Sequence, residues 1–304
     1  MKKIIGLSCG RKNGNSEFLL KEAAMGAEEL GIKIEIIRAA ELTVKPCTNC
    51  QACVKEFRAG KLAKCWIKDD LDWIIEKTCV EDCGLILSIP IYHIRSCGQF
   101  ININDRMLPA TMRNPDLLKK TRVGGIITVG GAGSDWTGLG HATANIFLQH
   151  TRILVDQMQV NDAPVPGAVL FDFHQKSLAR ARKLGRNVAQ AMMMPIEKVK
   201  YMGEDGPVSC PVCHCNILQV PEDLPGVVCP VCWVHGTLKM DKGRMKIEWN
   251  KEEAMHPRFS DYGIAEHGKY IMNLAQKIVP AERQASFKEL KKKYSAYGKI
   301  IKPA

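Results

Sequence analysis

Residues 3–31 read KIIGLSCGRKNGNSEFLLKEAAMGAEELG, a short apolar strand, a polar glycine-rich loop and an amphipathic helix. The pattern predicts a strand over 3–7 and a helix over about 17–30, with Gly31 as its stop. A helix N-terminus that follows a strand offers unpaired backbone N–H groups and a positive dipole end, which together bind anions. The loop therefore predicts a phosphate site, although an ordinary strand–helix turn fits the same residues.

The side chains of this loop suit a phosphate. Ser8, Asn15 and Ser16 supply hydrogen-bond partners, and Arg11 or Lys12 supplies positive charge. The glycine spacing matches neither GxGxxG nor GxxxxGK[ST], so neither the dinucleotide nor the ATP fingerprint is present. The sequence thus indicates one phosphate group rather than a dinucleotide.

Strands and helices alternate along the first 200 residues. Further strands are predicted at 32–37, 84–89, 122–129 and 167–171. Helices are predicted at roughly 69–78, 97–108, 140–158 and 175–194. Such alternation gives a parallel sheet with helices on both faces. We expect a doubly wound α/β domain over residues 1–200, built on a five-stranded parallel sheet.

Composition argues against several classes of protein. The chain is 46% hydrophobic and 25% charged, which is typical of soluble globular proteins. No apolar run reaches the length of a membrane span, and the first ten residues predict a strand rather than a signal peptide. The formal net charge of +11 is spread along the sequence, and its densest run, 291–293, predicts a solvated helix face. We therefore expect a cytoplasmic protein that binds neither membranes nor nucleic acid.

Two later strands also end in loops suited to a ligand. Residues 90–93, Pro-Ile-Tyr-His, end the third predicted strand, and Ser96 follows closely. Residues 130–133, Gly-Gly-Ala-Gly, end the fourth. In an open parallel sheet, ligands bind outside the carboxyl ends of the strands at the topological switch point. The three loops are therefore expected to converge on one ligand.

This set of loops resembles the NADPH-dependent FMN reductase branch of the flavodoxin-like superfamily. The resemblance covers about residues 1–195 and rests on Gly6–Ser8, Arg11–Ser16, Pro90–Tyr92, Ser96, Asp105-Arg106 and Gly130-Gly131. It implies that the ligand is FMN and that Ser8, Asn15 and Ser16 hold its phosphate. Cys9-Gly10 departs from the family, in which a small residue and Pro are more usual. The segment 132–135 is longer and more acidic than the usual loop.

The resemblance also implies the surroundings of the flavin ring. Pro90, Ile91, Tyr92 and His93 would line the isoalloxazine, and Gly130, Gly131 and Gly133 would close its other side. His93 and Tyr92 are the candidate catalytic residues. His93 would face flavin N5 or the substrate, or it is an exposed loop histidine without chemistry.

A first group of cysteines lies after the second predicted strand. Cys47, Cys50 and Cys53 follow one another at Cys-x2-Cys spacing, and Cys65 follows after eleven intervening residues. In a cytosolic protein such a group indicates a metal or redox site rather than disulfides. The spacing suits a [4Fe–4S] cluster and resembles the iron–sulfur flavoprotein subgroup of the same family. Plain thiols and zinc are the alternatives, and Cys79 is the backup fourth ligand.

A second group lies beyond residue 200. Cys210-Pro-Val-Cys213 and Cys229-Pro-Val-Cys232 are fifteen residues apart. Two such knuckles predict one tetrahedral site of four thiolates. Zinc would make the module a ribbon and is favoured, whereas iron would make it rubredoxin-like. We expect this module to cover 201–250 and a helical extension, with helices at 261–279 and 282–296, to cover 251–304.

These features together predict an FMN-dependent oxidoreductase. It would pass electrons between a reduced carrier, ferredoxin or NAD(P)H, and a small-molecule or protein acceptor. The iron–sulfur cluster would act as a relay, since FMN accepts two electrons and releases them singly. The alternatives are an NAD(P)H-dependent quinone, flavin or enoate reductase with structural cysteines, and a non-enzymatic zinc-ribbon redox sensor. The resemblance suggests a homodimer or homotetramer.

Overall fold

The centre of the protein is a parallel β-sheet, as the sequence predicts. In the computed structural model, which describes residues 2–301, its strands are β1 (Lys3–Ser8), β2 (Lys33–Arg38), β3 (Gly84–Tyr92), β5 (Val123–Gly130) and β6 (Ile153–Val160). They follow the order β2-β1-β3-β5-β6, and the short β4 (Arg95–Ser96) pairs antiparallel with the end of β3. The order reverses between β1 and β3, so the ligand-binding crevice of this topology lies above these two strands.

Helices cover both faces of the sheet. They are α1 (Asn15–Glu28), α2 (Ala52–Arg58), α3 (Leu71–Ile75), α4 (Gly98–Asn104), α5 (Leu108–Arg113), α6 (Gly140–Thr151) and α7 (Gln175–Met193). One core lies beneath α1 and α7, and the other lies beneath α3, α4 and α6. The first pair packs very closely, because a Cβ on Gly185 would lie 1.8 Å from the carbonyl oxygen of Ala23. Only glycine permits this approach of two backbones.

The fifth strand corrects the sequence prediction. The helix expected over 140–158 ends at Thr151, and Ile153–Val160 forms β6 instead. Residues 167–171 do not form a strand but contain a short 3₁₀ turn. Polar residues obscured the strand pattern, because Asp156 and Gln157 are buried within β6.

Two helix boundaries also differ from expectation. The helix predicted over 97–108 is two helices, α4 and α5, and a π-helical turn at Glu76–Val80 follows α3. The helices predicted at 175–194, 261–279 and 282–296 are present with ends shifted by three residues or fewer. Such end shifts are the ordinary uncertainty of helix boundaries.

The second cysteine group forms a small antiparallel module. Its strands are β7 (Val227–Val228), β8 (His235–Asp241) and β9 (Arg244–Trp249), and α8 (Lys251–Met255) follows them. The module packs beside β6, since the Gln157 side-chain amide donates to the carbonyl oxygen of Cys213 at 3.2 Å.

The chain divides into two compact units after Ser260. The first holds the sheet and the cysteine module. The second holds α9 (Asp261–Ala281) and α10 (Ala285–Ser295). Among residues 2–301, no helix combines the length and apolarity needed to cross a membrane.

Candidate functional site

A cavity of about 440 Å³ opens at the carboxyl edge of the sheet. Eight residues predicted to hold the cofactor line it: Arg11, Asn15, Ser16, Pro90, Ile91, Tyr92, His93 and Gly131. The structure therefore brings together the three loops that the sequence placed at the switch point. A larger cavity of about 600 Å³, between β6, α7 and the cysteine module, contains none of the predicted cofactor residues.

One end of the cavity gathers groups that suit an anion. The first helix begins at Asn15, and no side chain caps its free backbone N–H groups. Gly10 leaves room beside the Ser16 hydroxyl, because a Cβ at this position would lie 2.9 Å from Ser16 Oγ. Arg11 lines the same end, with no ion-pair partner within residues 2–301. Free N–H groups, a hydroxyl and a guanidinium suit one phosphate group.

Two predicted phosphate ligands have different surroundings. The Asn15 side chain donates to the carbonyl oxygens of Ala163 and Val165, both at 2.9 Å, and accepts from the Val169 N–H at 3.4 Å. Its amide thus fixes the opposite wall and is not free for a phosphate. Ser8 is fully buried and does not line the cavity, and its hydroxyl has no hydrogen-bond partner in the described part of the chain.

Three other predicted residues support the cavity from behind. Ser96 donates its hydroxyl to the carbonyl oxygen of Gly140 at 3.1 Å and so ties β4 to α6. Gly130 lets the next loop approach, since a Cβ there would lie 2.3 Å from Thr137 Cγ2. Gly133 precedes a short 3₁₀ turn and does not line the cavity.

The candidate catalytic residues lie on a strained hairpin. His93 and Ile94 form its two-residue turn, with φ of 54° and 75°. A β-branched side chain is rare in this left-handed region, and such strain often marks a functional site. The Leu139 N–H fixes the turn by donating to the Ile94 carbonyl oxygen at 3.1 Å. Partial burial raises the pKa of Tyr92 above its ordinary value.

The sequence analysis missed the fourth wall of the cavity. Residues 163–166, Ala-Pro-Val-Pro, line it directly after β6. This loop was not predicted, because the sequence assigned a helix to 140–158 and a strand to 167–171. The two prolines were the available signal, because proline marks the end of a regular element.

The first cysteine group lines a separate and smaller cavity of about 80 Å³. Its lining includes Cys47, Cys50, Cys53 and Cys65. By contrast, Cys79 is fully buried in the core beneath α3. The structure thus groups Cys65, rather than the backup ligand, with the other three cysteines.

Nitrogen donors face two of these sulfurs. The Trp66 indole N–H donates to Cys50 Sγ at 3.0 Å, and the Arg106 guanidinium donates to Cys65 Sγ at 3.2 Å. A backbone hydrogen bond from Ala52 and the Trp66 indole lower the pKa of Cys50, so its metal-binding thiolate form is favoured. Four thiols, two of which accept side-chain N–H donors at sulfur, form a donor set that suits an iron–sulfur cluster.

The short helix α4 joins the two cavities. At its start, the Cys97 N–H donates to the carbonyl oxygen of Pro90, which lines the first cavity. Near its end, Asn102 and Arg106 donate to the carbonyl oxygens of Val44 and Lys45, both at 3.0 Å. Seven helical residues span about 10 Å.

The second cysteine group forms a four-sulfur cluster that could hold a single metal ion. Within residues 2–301, Cys210, Cys213, Cys229 and Cys232 are the only group of three or more potential ligands with all ligand atoms within 4.8 Å of one another. All four are buried, as in a structural tetrahedral site. His214 and Trp233, which follow the knuckles, have φ of 55° and 62°. Glycine is usual at such left-handed positions. The chain departs from the rubredoxin pattern because His214 and Trp233 stand there instead.

Comparison with known proteins identifies the family. The sequence model described as NADPH-dependent FMN reductase matches residues 2–165. The chain belongs to this family. An iron-sulfur flavoprotein of Methanocaldococcus jannaschii is 31% identical over 205 residues, covering 63% of this chain and 98% of that protein.

Two other similar proteins also match the part of this chain beyond residue 165. A solved structure described as a flavone reductase superimposes with a TM-score of 0.78 at 25% identity, covering 99% of this chain and 100% of the other. A flavone synthase of Aspergillus candidus is 24% identical over 288 residues, or 87% of each chain. Family membership confirms an FMN-dependent oxidoreductase, and the anion-binding end of the first cavity fits the single phosphate of FMN.

Proposed function

We propose that this FMN reductase uses a [4Fe–4S] cluster, held by Cys47, Cys50, Cys53 and Cys65, to exchange single electrons with FMN. The carrying observation is that these cysteines line one cavity beside the end of α4. The start of α4 is bonded to the wall of the flavin cavity. The similarity to iron-sulfur flavoproteins supports the same assignment.

The residues of the first cavity have separate tasks in this proposal. Ser16, Arg11 and the N-terminus of α1 bind the phosphate of FMN, while Asn15 holds the loop 163–169 against it. Pro90, Ile91, Tyr92, His93 and Gly131 enclose the ring. Bound FMN supplies the exchange between two-electron and one-electron chemistry. His93 is exposed at the hairpin tip, where its imidazole can give a proton to a reduced substrate.

The electron donor and the assembly are also part of the proposal. NAD(P)H is the favoured donor, because the matching family is described as NADPH-dependent. Ferredoxin is the alternative donor, through the cluster. We propose a homodimer or homotetramer in the cytoplasm, with zinc in the site of Cys210, Cys213, Cys229 and Cys232.

A second candidate concerns the electron acceptor. The similarity to the flavone reductase structure covers 99% of this chain, including the cysteine module and the C-terminal helices. We therefore propose, as an alternative, reduction of a carbon–carbon double bond conjugated to a carbonyl in a planar aromatic substrate. In this version NAD(P)H reduces FMN directly and the first cysteine group is structural.

Anaerobic rapid kinetics on two variants separate these functions. In Cys50→Ala we expect loss of iron and slow reduction of FMN by reduced ferredoxin, but unchanged reduction by NADPH. The control Cys79→Ala removes a core thiol outside the cavity and should keep iron and both rates. Wild-type protein that reduces a flavone with NADPH, but carries no iron, would support the second candidate and contradict the relay.

A further inference from the structure

Arg106 occupies an unusual position beside the first cysteine group. Its side chain is 2% exposed, and its guanidinium bonds to other groups as well as to a carboxylate. It donates to the Asp69 carboxylate at 2.5 Å, to Cys65 Sγ at 3.2 Å and to two backbone carbonyl oxygens. A buried arginine with a sulfur among its acceptors has a task beyond neutralising an acid.

The two backbone acceptors lie on either side of the cysteines in sequence. The carbonyl oxygen of Lys45, two residues before Cys47, accepts at 3.0 Å. The carbonyl oxygen of Ile67, two residues after Cys65, accepts at 3.2 Å. One guanidinium therefore holds the start and the end of the segment that carries all four cysteines. This explains how Cys65 returns to the other three across the eleven-residue gap.

Asp69 fixes the orientation of this guanidinium. Its carboxylate also accepts the N–H groups of Lys45 and Leu71, at 2.8 and 3.2 Å. Although burial opposes ionisation, the hydrogen bonds from Arg106, Lys45 and Leu71 hold the pKa of Asp69 below its usual range. The pair is thus charged at neutral pH. The planar fork of arginine can serve several acceptors at once, whereas a lysine ammonium cannot reproduce this geometry.

We infer that Arg106 is the positioning residue of the first cysteine group, holding Cys65 as the fourth ligand and raising the reduction potential of the cluster bound there. Only the second part of this inference, the effect on the reduction potential of the cluster, rests on the proposed function. A hydrogen bond to a ligand sulfur favours the reduced cluster, which carries one more negative charge. The first part concerns the thiol itself and applies to the metal-free protein as well.

The test uses a variant pair that leaves no buried charge unpaired. Arg106→Gln combined with Asp69→Asn removes both charges together, because loss of one partner alone is strongly destabilising. Arg106→Lys keeps the positive charge but lacks the planar guanidinium that serves several acceptors at once. Arg113→Gln is the matched control, since Arg113 pairs with the exposed Asp72 and does not line the cavity. FMN content and circular dichroism establish that each variant is folded.

Two readouts are measured on each protein. In metal-free protein, alkylation of Cys65 by iodoacetamide, followed by peptide mass spectrometry, should be several-fold faster in the double variant than in wild type or Arg113→Gln. In iron-loaded protein, the midpoint potential of the cluster should fall in the double variant and recover only in part in Arg106→Lys.

The outcomes separate this inference from the proposed function. Unchanged Cys65 alkylation together with an unchanged potential would overturn the role of Arg106. Faster alkylation in protein that never binds iron would support the positioning of Cys65 and would contradict the proposed cluster. If the double variant is unfolded, Arg106→Lys carries the test: an alkylation rate equal to wild type then overturns the inference.

Discussion

Glu17 is a buried carboxylate that joins the phosphate loop to the neighbouring strand. It accepts two hydrogen bonds from Arg38, at 3.0 and 3.1 Å, one from the Asn13 N–H at 3.2 Å, and pairs with Lys21 at 2.7 Å. These partners, Arg38 first, lower the pKa of Glu17 to about 2. The carboxylate therefore stabilises the loop that precedes the anion-binding end of the cavity.

The first prediction concerns the pH dependence of stability. Because the pKa of Glu17 is depressed in the folded state, its stabilisation is complete above the unfolded pKa near 4.5 and is lost as pH falls towards 2. The difference corresponds to about 3 kcal/mol at pH 7. Urea unfolding should show Glu17→Gln to be destabilised at pH 7, with a smaller loss of stability below pH 4.5. Equal effects in Glu28→Gln, at an exposed position on the same helix, would contradict this role.

The second prediction concerns the strained hairpin. Ile94→Gly should raise the free energy of unfolding by about 1 kcal/mol, because glycine adopts a φ of 75° without steric cost. Arg95→Gly, at the next residue, should lower it, since Arg95 has no such strain to relieve. Thermal unfolding measures both. A loss of stability in Ile94→Gly equal to that in Arg95→Gly would show that the turn stores no strain.

At the scale of elements, the uncapped N-terminus of α1 is the proposed binding site of the FMN phosphate. The third prediction follows from this placement. Ser16→Asp should weaken FMN binding at least about tenfold, because a carboxylate repels the phosphate. Ser16→Ala, which removes only the hydroxyl, should weaken it less. Flavin fluorescence titration measures both affinities, and equal affinities for wild type and Ser16→Asp would refute this placement of the phosphate.

How much of an element the sequence reveals depends on where its partners lie. The β1–α1 loop is predictable because its strand, glycines and helix are adjacent in sequence. β6 is not, because its buried polar residues are satisfied by distant groups: Asp156 by Arg180, and Gln157 by the carbonyl oxygen of Cys213. Because the sequence did not predict β6, it also did not reveal the loop 163–166, which forms one wall of the cavity.

The same distinction applies to the cysteines. Their spacing predicted both groups, since each knuckle is local. It left Cys65 and Cys79 as alternatives, because the surroundings that distinguish them, Arg106 beside Cys65 and the core around Cys79, come from residues distant in sequence. The departures from the rubredoxin pattern at His214 and Trp233 were visible in sequence, but their left-handed backbone was not.

At the scale of the whole molecule, the cysteine module lies in the same compact unit as the parallel sheet. The fourth prediction is that Cys213→Ser lowers metal content by one equivalent per chain and makes residues 208–249 sensitive to protease, with FMN retained. So small a module has little hydrophobic core, and we expect its stability to depend on a bound metal. Cys215→Ser is the control, since Cys215 is equally buried but outside the four-sulfur group. Metal loss of the same size in both variants would contradict the assigned ligands.

The central claim is that one chain carries FMN and an iron–sulfur cluster in two cavities joined by α4. The most direct measurement is the iron, zinc and FMN content of anaerobically purified wild type and Cys50→Ala. The account predicts one FMN per chain in both proteins, with the four irons of a [4Fe–4S] cluster present in wild type and absent from the variant. Wild-type protein that contains FMN and a metal at the second cysteine group, but no iron at the first, would contradict it.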